Sequence, residues 1–195
     1  MNKNNKFNSE IHHRRSIRLP GYDYSQEGFY FITLCTQNHK HLFGEINDGV
    51  MKLNRAGLAI KEEWENTSKI RKNIILGEYV IMPNHFHAIV QIEYPIKPQS
   101  NDIVKLKSPS QTIGSIIRGF KGATIKYFKT DILSLPSIWQ RNYWEHIIRT
   151  ELEFGKISQY IIGNPACWED DKLNGGRGNE VLENQEGYND EIWMV

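Results

Sequence analysis

The hydrophobic period of this chain switches repeatedly between two and about 3.6 residues, and the order of those switches limits its fold more than any other feature. "FYFITLCTQ" (29–37) is rich in aromatic and β-branched residues and reads as a strand. "HLFGEINDGVMKLN" follows, with Asn47-Asp48-Gly49 as the turn of a hairpin between short strands. From Asn54 the period lengthens. Leu58, Ile60, Trp64 and Ile70 recur among charged residues, which suits an amphipathic helix with Asn54 as its cap. "NIILGEYVIM" (73–82) and "HFHAIVQIE" (85–93) then read as two strands joined through Pro83-Asn84. Residues 94–110, with three prolines and several serines, are a loop. Ile113, Ile116, Ile117, Phe120 and Phe128 lie near helical spacing over 112–130, and "SIWQRNYWEHIIR" gives a strand around Glu145 to Arg149. A last helix, "TELEFGKISQYIIGN" (150–164), opens with the capping-box spacing of Thr150 and Glu153, and Pro165 stops it.

That order has β-α-β-β-α-β at its heart, with an added N-terminal hairpin and a C-terminal helix. It predicts an α+β domain with an antiparallel, ferredoxin-like sheet. The expected organisation is a basic arm over 1–20, one domain over 21–168, and an acidic, irregular tail over 169–195. Through Thr150 there are 21 Lys and Arg against 13 Asp and Glu, and from Glu151 onward 3 against 10. A basic body of this kind is compatible with a polyanionic partner. Cys35 and Cys167 are far apart and form no CxxC, so neither a disulfide framework nor a thiolate zinc cluster is suggested. The polar start lacks the apolar stretch of a secretory signal, and no run reaches bilayer-spanning length. A reducing cytoplasm and no membrane contact are the expectation.

Candidate chemistry begins with "MPNHFHA" (82–88). On a strand, residues i and i+2 share a face, so His85 and His87 can aim two imidazoles at one ion while Phe86 turns to the opposite face. A pair is an incomplete shell. Tyr160 and Asn164, four apart on the last helix, share a face, and an Asn carbonyl oxygen suits a hard divalent cation, Mg2+ or Mn2+. Glu78, Glu145 and His146 are rival third ligands. If the two pairs meet, a phenol stands beside a cation. That arrangement suits attack by tyrosine on a phosphodiester, with the cation stabilising charge on a non-bridging oxygen. On the substrate side, Arg118, Lys121, Lys126 and Lys129 lie along the helix at 112–130, Arg14, Arg15 and Arg18 lie in the arm, and Arg141 follows Trp139. Phe120, Tyr127 and Trp139 are interleaved aromatics of the type that stacks on unpaired bases.

The stretches "RRSIRLPGYDYSQEGFYFITLCTQN", "LFGEINDG", "VIMPNHFHAIV", "TIGSIIRGFKGATIKY", "WQRNYWEHIIR" and "YIIGNP" together resemble the REP-associated tyrosine transposases, a branch of the HUH single-tyrosine transposases. The resemblance covers roughly residues 14–170. It implies a divalent-metal endonuclease and strand transferase acting on single-stranded DNA, often at palindromic hairpins, through a 5′-phosphotyrosine intermediate. Residue by residue, His85 and His87 match the histidine pair, Tyr160 the nucleophile and Asn164 the polar ligand one turn on. Arg14, Arg15, Arg18, Arg118, Lys121, Lys126 and Arg141 are the expected DNA contacts. Tyr143, in "WQRNYWEH", is the runner-up nucleophile. Some members of the wider class use dimers with composite sites, so a homodimer is compatible with the resemblance. The alternative is a non-catalytic protein that binds hairpins or single strands.

Overall fold

The computed structural model describes residues 19, 21–94, 112–131 and 137–174. Among the described residues, six strands and three α-helices run in the order β1 (Gly28–Cys35), β2 (Gly44–Asn47), β3 (Val50–Leu53), α1 (Arg55–Ile70), β4 (Ile74–Ile81), β5 (His85–Ile92), α2 (Ile113–Asp131), β6 (Trp144–Ile148) and α3 (Glu151–Gly163). The main sheet has the order β4-β5-β1-β6, antiparallel throughout. The ferredoxin-like core expected from the period switches is therefore present. β2 and β3 form a separate hairpin. Its tip is Asp48-Gly49, both with positive φ (53° and 72°), the backbone that a two-residue turn needs to match strand twist.

Local signals account for the helix starts. The Asn54 side chain accepts the Gly57 N–H at 3.0 Å, and the Thr150 hydroxyl accepts the Glu153 N–H at 3.1 Å. The buried stripe of α1 is Ala56, Ile60 and Trp64, at four-residue spacing. Leu58 and Ile70, expected in that stripe, face solvent instead. Pro165 ends the α-helix as expected, but the backbone continues as a 3-10 turn over Asn164–Asp170. Proline tolerates this because an N-terminal turn position needs no N–H donor.

The sheet has two unlike faces. Tyr30, Ile32 and Leu34 of β1 and Phe86, Ala88, Val90 and Ile92 of β5 pack with Ile60 and Trp64 of α1 and with Ile116, Ile117 and Phe120 of α2. The opposite face carries Phe31 and Ile89, covered by Ile157 and Ile161 of α3. Strand alternation divides β5 between them, so Phe86 enters the large core while His85 and His87 turn toward α3. Among the described residues, no helix is long and apolar enough to cross a membrane.

Candidate active site at the start of β5

His85 and His87 open β5, paired across the ladder with Cys35 and Thr33 of β1. Both are fully buried, and their ring centroids are 4.6 Å apart. Each ring is braced through Nδ1. His87 Nδ1 lies 2.8 Å from the Thr33 hydroxyl, and His85 Nδ1 lies 2.8 Å from Asn84 Oδ1. The Asn84 amide nitrogen donates to the Leu173 carbonyl at 2.8 Å. That fixes which end of the Asn84 amide faces His85. Its oxygen must accept, so His85 carries its proton on Nδ1 and leaves the Nε2 lone pair free.

The last helix meets this pair. Tyr160 Oη is 3.3 Å from His87 Nε2, and the two rings stand 5.3 Å apart edge to face. Asn164, one turn later, is 3% exposed. Its amide acts on three neighbours at once, favouring a protonated His85 and an ionised Tyr160 and Asp171. Among the described residues, His85 Nε2 and Asn164 Oδ1 are buried without a hydrogen-bond partner. Both are acceptors. Unpaired acceptors are costly in an interior, at about 1–3 kcal/mol each, unless something positive or a donor comes to them.

Burial sets the electrostatics. It pushes His87 down to about 3, and it drives His85 well below the ordinary imidazole range, with His87 as the next cause. Burial therefore favours the neutral form of both imidazoles. Burial, followed by the Asp171 charge, raises Tyr160 above the ordinary phenol range. A phenol so placed is kept protonated unless positive charge comes beside it. Two imidazole nitrogens and an amide oxygen, presented by elements far apart in sequence, are a donor set that fits a divalent cation. Among the described residues, no three His, Cys, Asp or Glu form such a group by themselves, so the amide of Asn164 is essential to the fit.

The other sequence candidates lie elsewhere. Glu78 accepts from Ser158 at 3.3 Å, Glu145 accepts from Tyr143 at 2.8 Å, and His146 Nε2 is 2.6 Å from Glu153 Oε1. Tyr143 packs against the large core, on the face opposite Tyr160. Arg118 and Lys126 are exposed on α2, whose apolar stripe packs on that same opposite face. Lys121 turns inward, donating to the Gln140 and Asn142 carbonyls at 2.8 and 3.0 Å, and burial lowers it to about 8. It ties down the segment that exposes Arg141. Phe120 and Trp139, expected to stack on bases, are 2% exposed and belong to the core; Tyr127 packs partly buried against it. Arg14, Arg15 and Arg18 lie outside the described residues, as does the side chain of Lys129.

Sequence reasoning missed Thr33, Asn84 and Asp171. Asp171 Oδ2 lies 3.7 Å from His85 Nε2, with its side chain 3% exposed. Asn84 had a signal, since it directly precedes the histidines, but a residue after Pro83 reads first as a turn. Asp171 had none beyond its place in an acidic stretch.

No family model matches the chain. An uncharacterized protein of Haemophilus influenzae is 45% identical over 175 residues, covering 86% of this chain and 97% of its own. A second Haemophilus influenzae protein, named "Putative REP-associated tyrosine transposase", is 26% identical over 150 residues, covering 74% of this chain and 73% of its own. Among solved structures, that of a REP-associated tyrosine transposase bound to a REP hairpin superposes with a TM-score of 0.53 at 19% identity, over 76% of this chain and 73% of the other. The fold is shared with that protein.

Proposed function

We propose that this chain, which belongs to one family with its 45%-identical Haemophilus influenzae relative and resembles the REP-associated tyrosine transposases in sequence and fold, is a metal-dependent endonuclease and strand transferase for single-stranded DNA. The observation that carries this reading is the contact of Tyr160 with His87 beside the unpartnered His85 Nε2 and Asn164 Oδ1. A hydrolase using water would leave that tyrosine without a task.

In the proposed reaction Tyr160 Oη attacks the scissile phosphorus. A bond forms between that oxygen and phosphorus, and the bond from phosphorus to the 3′ oxygen breaks. One fragment then carries a 5′-phosphotyrosine link and the other a free 3′-hydroxyl. The phenol loses one proton and the departing oxygen gains one, so the step is proton-neutral. The link retains the phosphodiester energy, and a 3′-hydroxyl can later reverse the attack to rejoin strands without ATP. His85, His87 and Asn164 would hold the cation. When bound, Mg2+ or Mn2+ supplies the positive charge that polarises a non-bridging phosphate oxygen and favours the phenolate. Asn84 and Thr33 keep both imidazoles turned toward that charge.

The hairpin in the solved relative suggests a palindromic DNA hairpin as substrate here. Arg14, Arg15, Arg18, Arg118, Lys126 and Arg141 are the proposed backbone contacts, with Lys121 in a supporting role, and the cytoplasm is the proposed compartment. The test is incubation with Mn2+ or Mg2+ and single-stranded hairpins drawn from the DNA flanking the gene. A covalent protein–DNA adduct on a denaturing gel, absent with chelator, is expected. Metal-independent hairpin binding with no adduct would overturn the enzyme and leave a non-catalytic hairpin binder.

A further inference from the structure

The 3-10 turn that follows Asn164 carries the chain back over the start of β5 and delivers Asp171 to His85. One carboxylate oxygen, Oδ1, accepts the Leu173 N–H at 2.6 Å. The other, Oδ2, stands 3.7 Å from His85 Nε2, beyond hydrogen-bond reach. Because Asn84 holds the His85 proton on Nδ1, the atom that Asp171 faces is a lone pair. Burial pushes the Asp171 carboxyl up, and two acceptors facing each other in a buried site repel unless a cation or a proton joins them. Asn164 Oδ1, the third acceptor at this point, also lacks a donor.

From this arrangement we infer that Asp171 is a ligand of the site's divalent cation, adding a carboxylate to His85 and Asn164. Among the described residues, His85, His87 and Asp171 do not by themselves form a metal group, so the Asn164 oxygen is needed beside them. The inference rests on the metal-dependent reading above and goes beyond its neutral ligand set. The spacing is suitable. With ligand bonds of about 2.1 Å, two atoms on one cation stand about 3.0 Å apart at a right angle and about 4.2 Å apart on opposite sides. The 3.7 Å between Asp171 Oδ2 and His85 Nε2 lies within that interval. The support for Asp171 is shared with the support for His85, because Asn84 bonds both to the His85 ring and to the carbonyl of Leu173, two residues beyond Asp171. One amide thus orients two of the proposed ligands. The added charge also has a chemical consequence. It halves the net charge of a divalent site, strengthening retention of the ion while softening its pull on the phosphate.

The experiment is Mn2+ titration of the full chain without DNA, by calorimetry or by loss of the free-ion electron spin resonance signal. Asp171→Asn keeps an oxygen for the Leu173 N–H and removes only the charge. It is expected to weaken Mn2+ binding by about 10-fold or more, and to shrink the rise in melting temperature that Mn2+ produces. Asp171→Glu, which keeps the carboxylate, is expected to bind more tightly than Asp171→Asn. If Asp171→Asn binds Mn2+ as tightly as the wild type, Asp171 is a turn cap and the inference fails, while the proposed function stands. If the wild-type chain binds no Mn2+ and His85→Ala changes nothing, both fail together.

Discussion

The two faces of the main sheet divide the molecule's work unevenly. On one, α1 and α2 enclose a continuous core in which Trp64 packs edge to face on Phe86 and Phe120 at 4.9 and 5.1 Å. On the other, α3 covers a much smaller apolar cluster built around Phe31, Ile89, Ile157 and Ile161. Beside that cluster sit two imidazoles, a phenol, an amide and a carboxylate, all substantially buried. Buried acceptors without partners cost stability, and two of them, His85 Nε2 and Asn164 Oδ1, lie together on this smaller face. β5 serves both at once, giving Phe86 and Ala88 to the core and His85 and His87 to the site. The comparison teaches where to expect loss of function without loss of folding.

The sharpest way to break it uses two tyrosines on opposite faces. Tyr160→Phe removes the hydroxyl at 3.3 Å from His87 and should abolish the covalent DNA adduct, with thermal stability changed by less than about 1.5 kcal/mol. Tyr143→Phe removes the donor to Glu145 and should keep the adduct. Adduct gels run beside thermal melts separate the outcomes, and the reverse pattern would move the nucleophile to the core face. Next in size is Trp64→Ala, which empties a fully buried site on that face. It should cost about 3–5 kcal/mol in denaturant unfolding, yet leave Mn2+ affinity unchanged under conditions where the variant is folded.

Asn84→Ala sharpens the boundary, because Asn84 lies between the faces at the entry to β5. It should lower Mn2+ affinity by about 10- to 100-fold through a misoriented His85. It should also cost about 1–3 kcal/mol by leaving His85 Nδ1 and the Leu173 carbonyl unpaired. Metal affinity that survives this change would show that the imidazole needs no brace.

Much of this division is legible in the amino-acid sequence. Period two in "HFHAIVQIE" already sent His85 and His87 to one face and Phe86 to the other, and four-residue spacing aligned Tyr160 with Asn164. The order of period switches gave the ferredoxin-like core. What could not be read was contact between distant segments. The bond from Asn84 to Leu173 spans 89 residues, and no periodicity encodes it. Phe120 and Trp139 illustrate the opposite error. An aromatic among basic residues has the same local signature whether its ring meets a base or a neighbouring core, and here Trp64 and Phe43 fill that role. Lys121 is similar, since a charge on a helix looks free until a loop such as Gln140–Asn142 offers it carbonyls.

The smallest effect tests how α3 is anchored to the sheet. Glu153, in the first turn of α3, accepts the Arg149 N–H at 2.7 Å and pairs with His146 on β6 at 2.6 Å. Burial pushes its carboxyl up, but these contacts, with the Thr150 amide, outweigh burial and hold it below the ordinary carboxylate range. A position near the positive end of the helix dipole acts in the same direction. Because the folded value is depressed, the unfolded chain takes up protons first. The contribution is fully present above the unfolded value of about 4.3 and is lost as pH falls through the lower folded value. Glu153→Gln retains an acceptor but no charge. Its melting temperature should therefore fall below that of the wild type at pH 6, by an amount equivalent to less than about 1 kcal/mol. The gap should narrow steadily on acidification below about pH 4.3. A gap independent of pH would mean that hydrogen-bond geometry alone, and not the charge of Glu153, secures α3 and the tyrosine it carries.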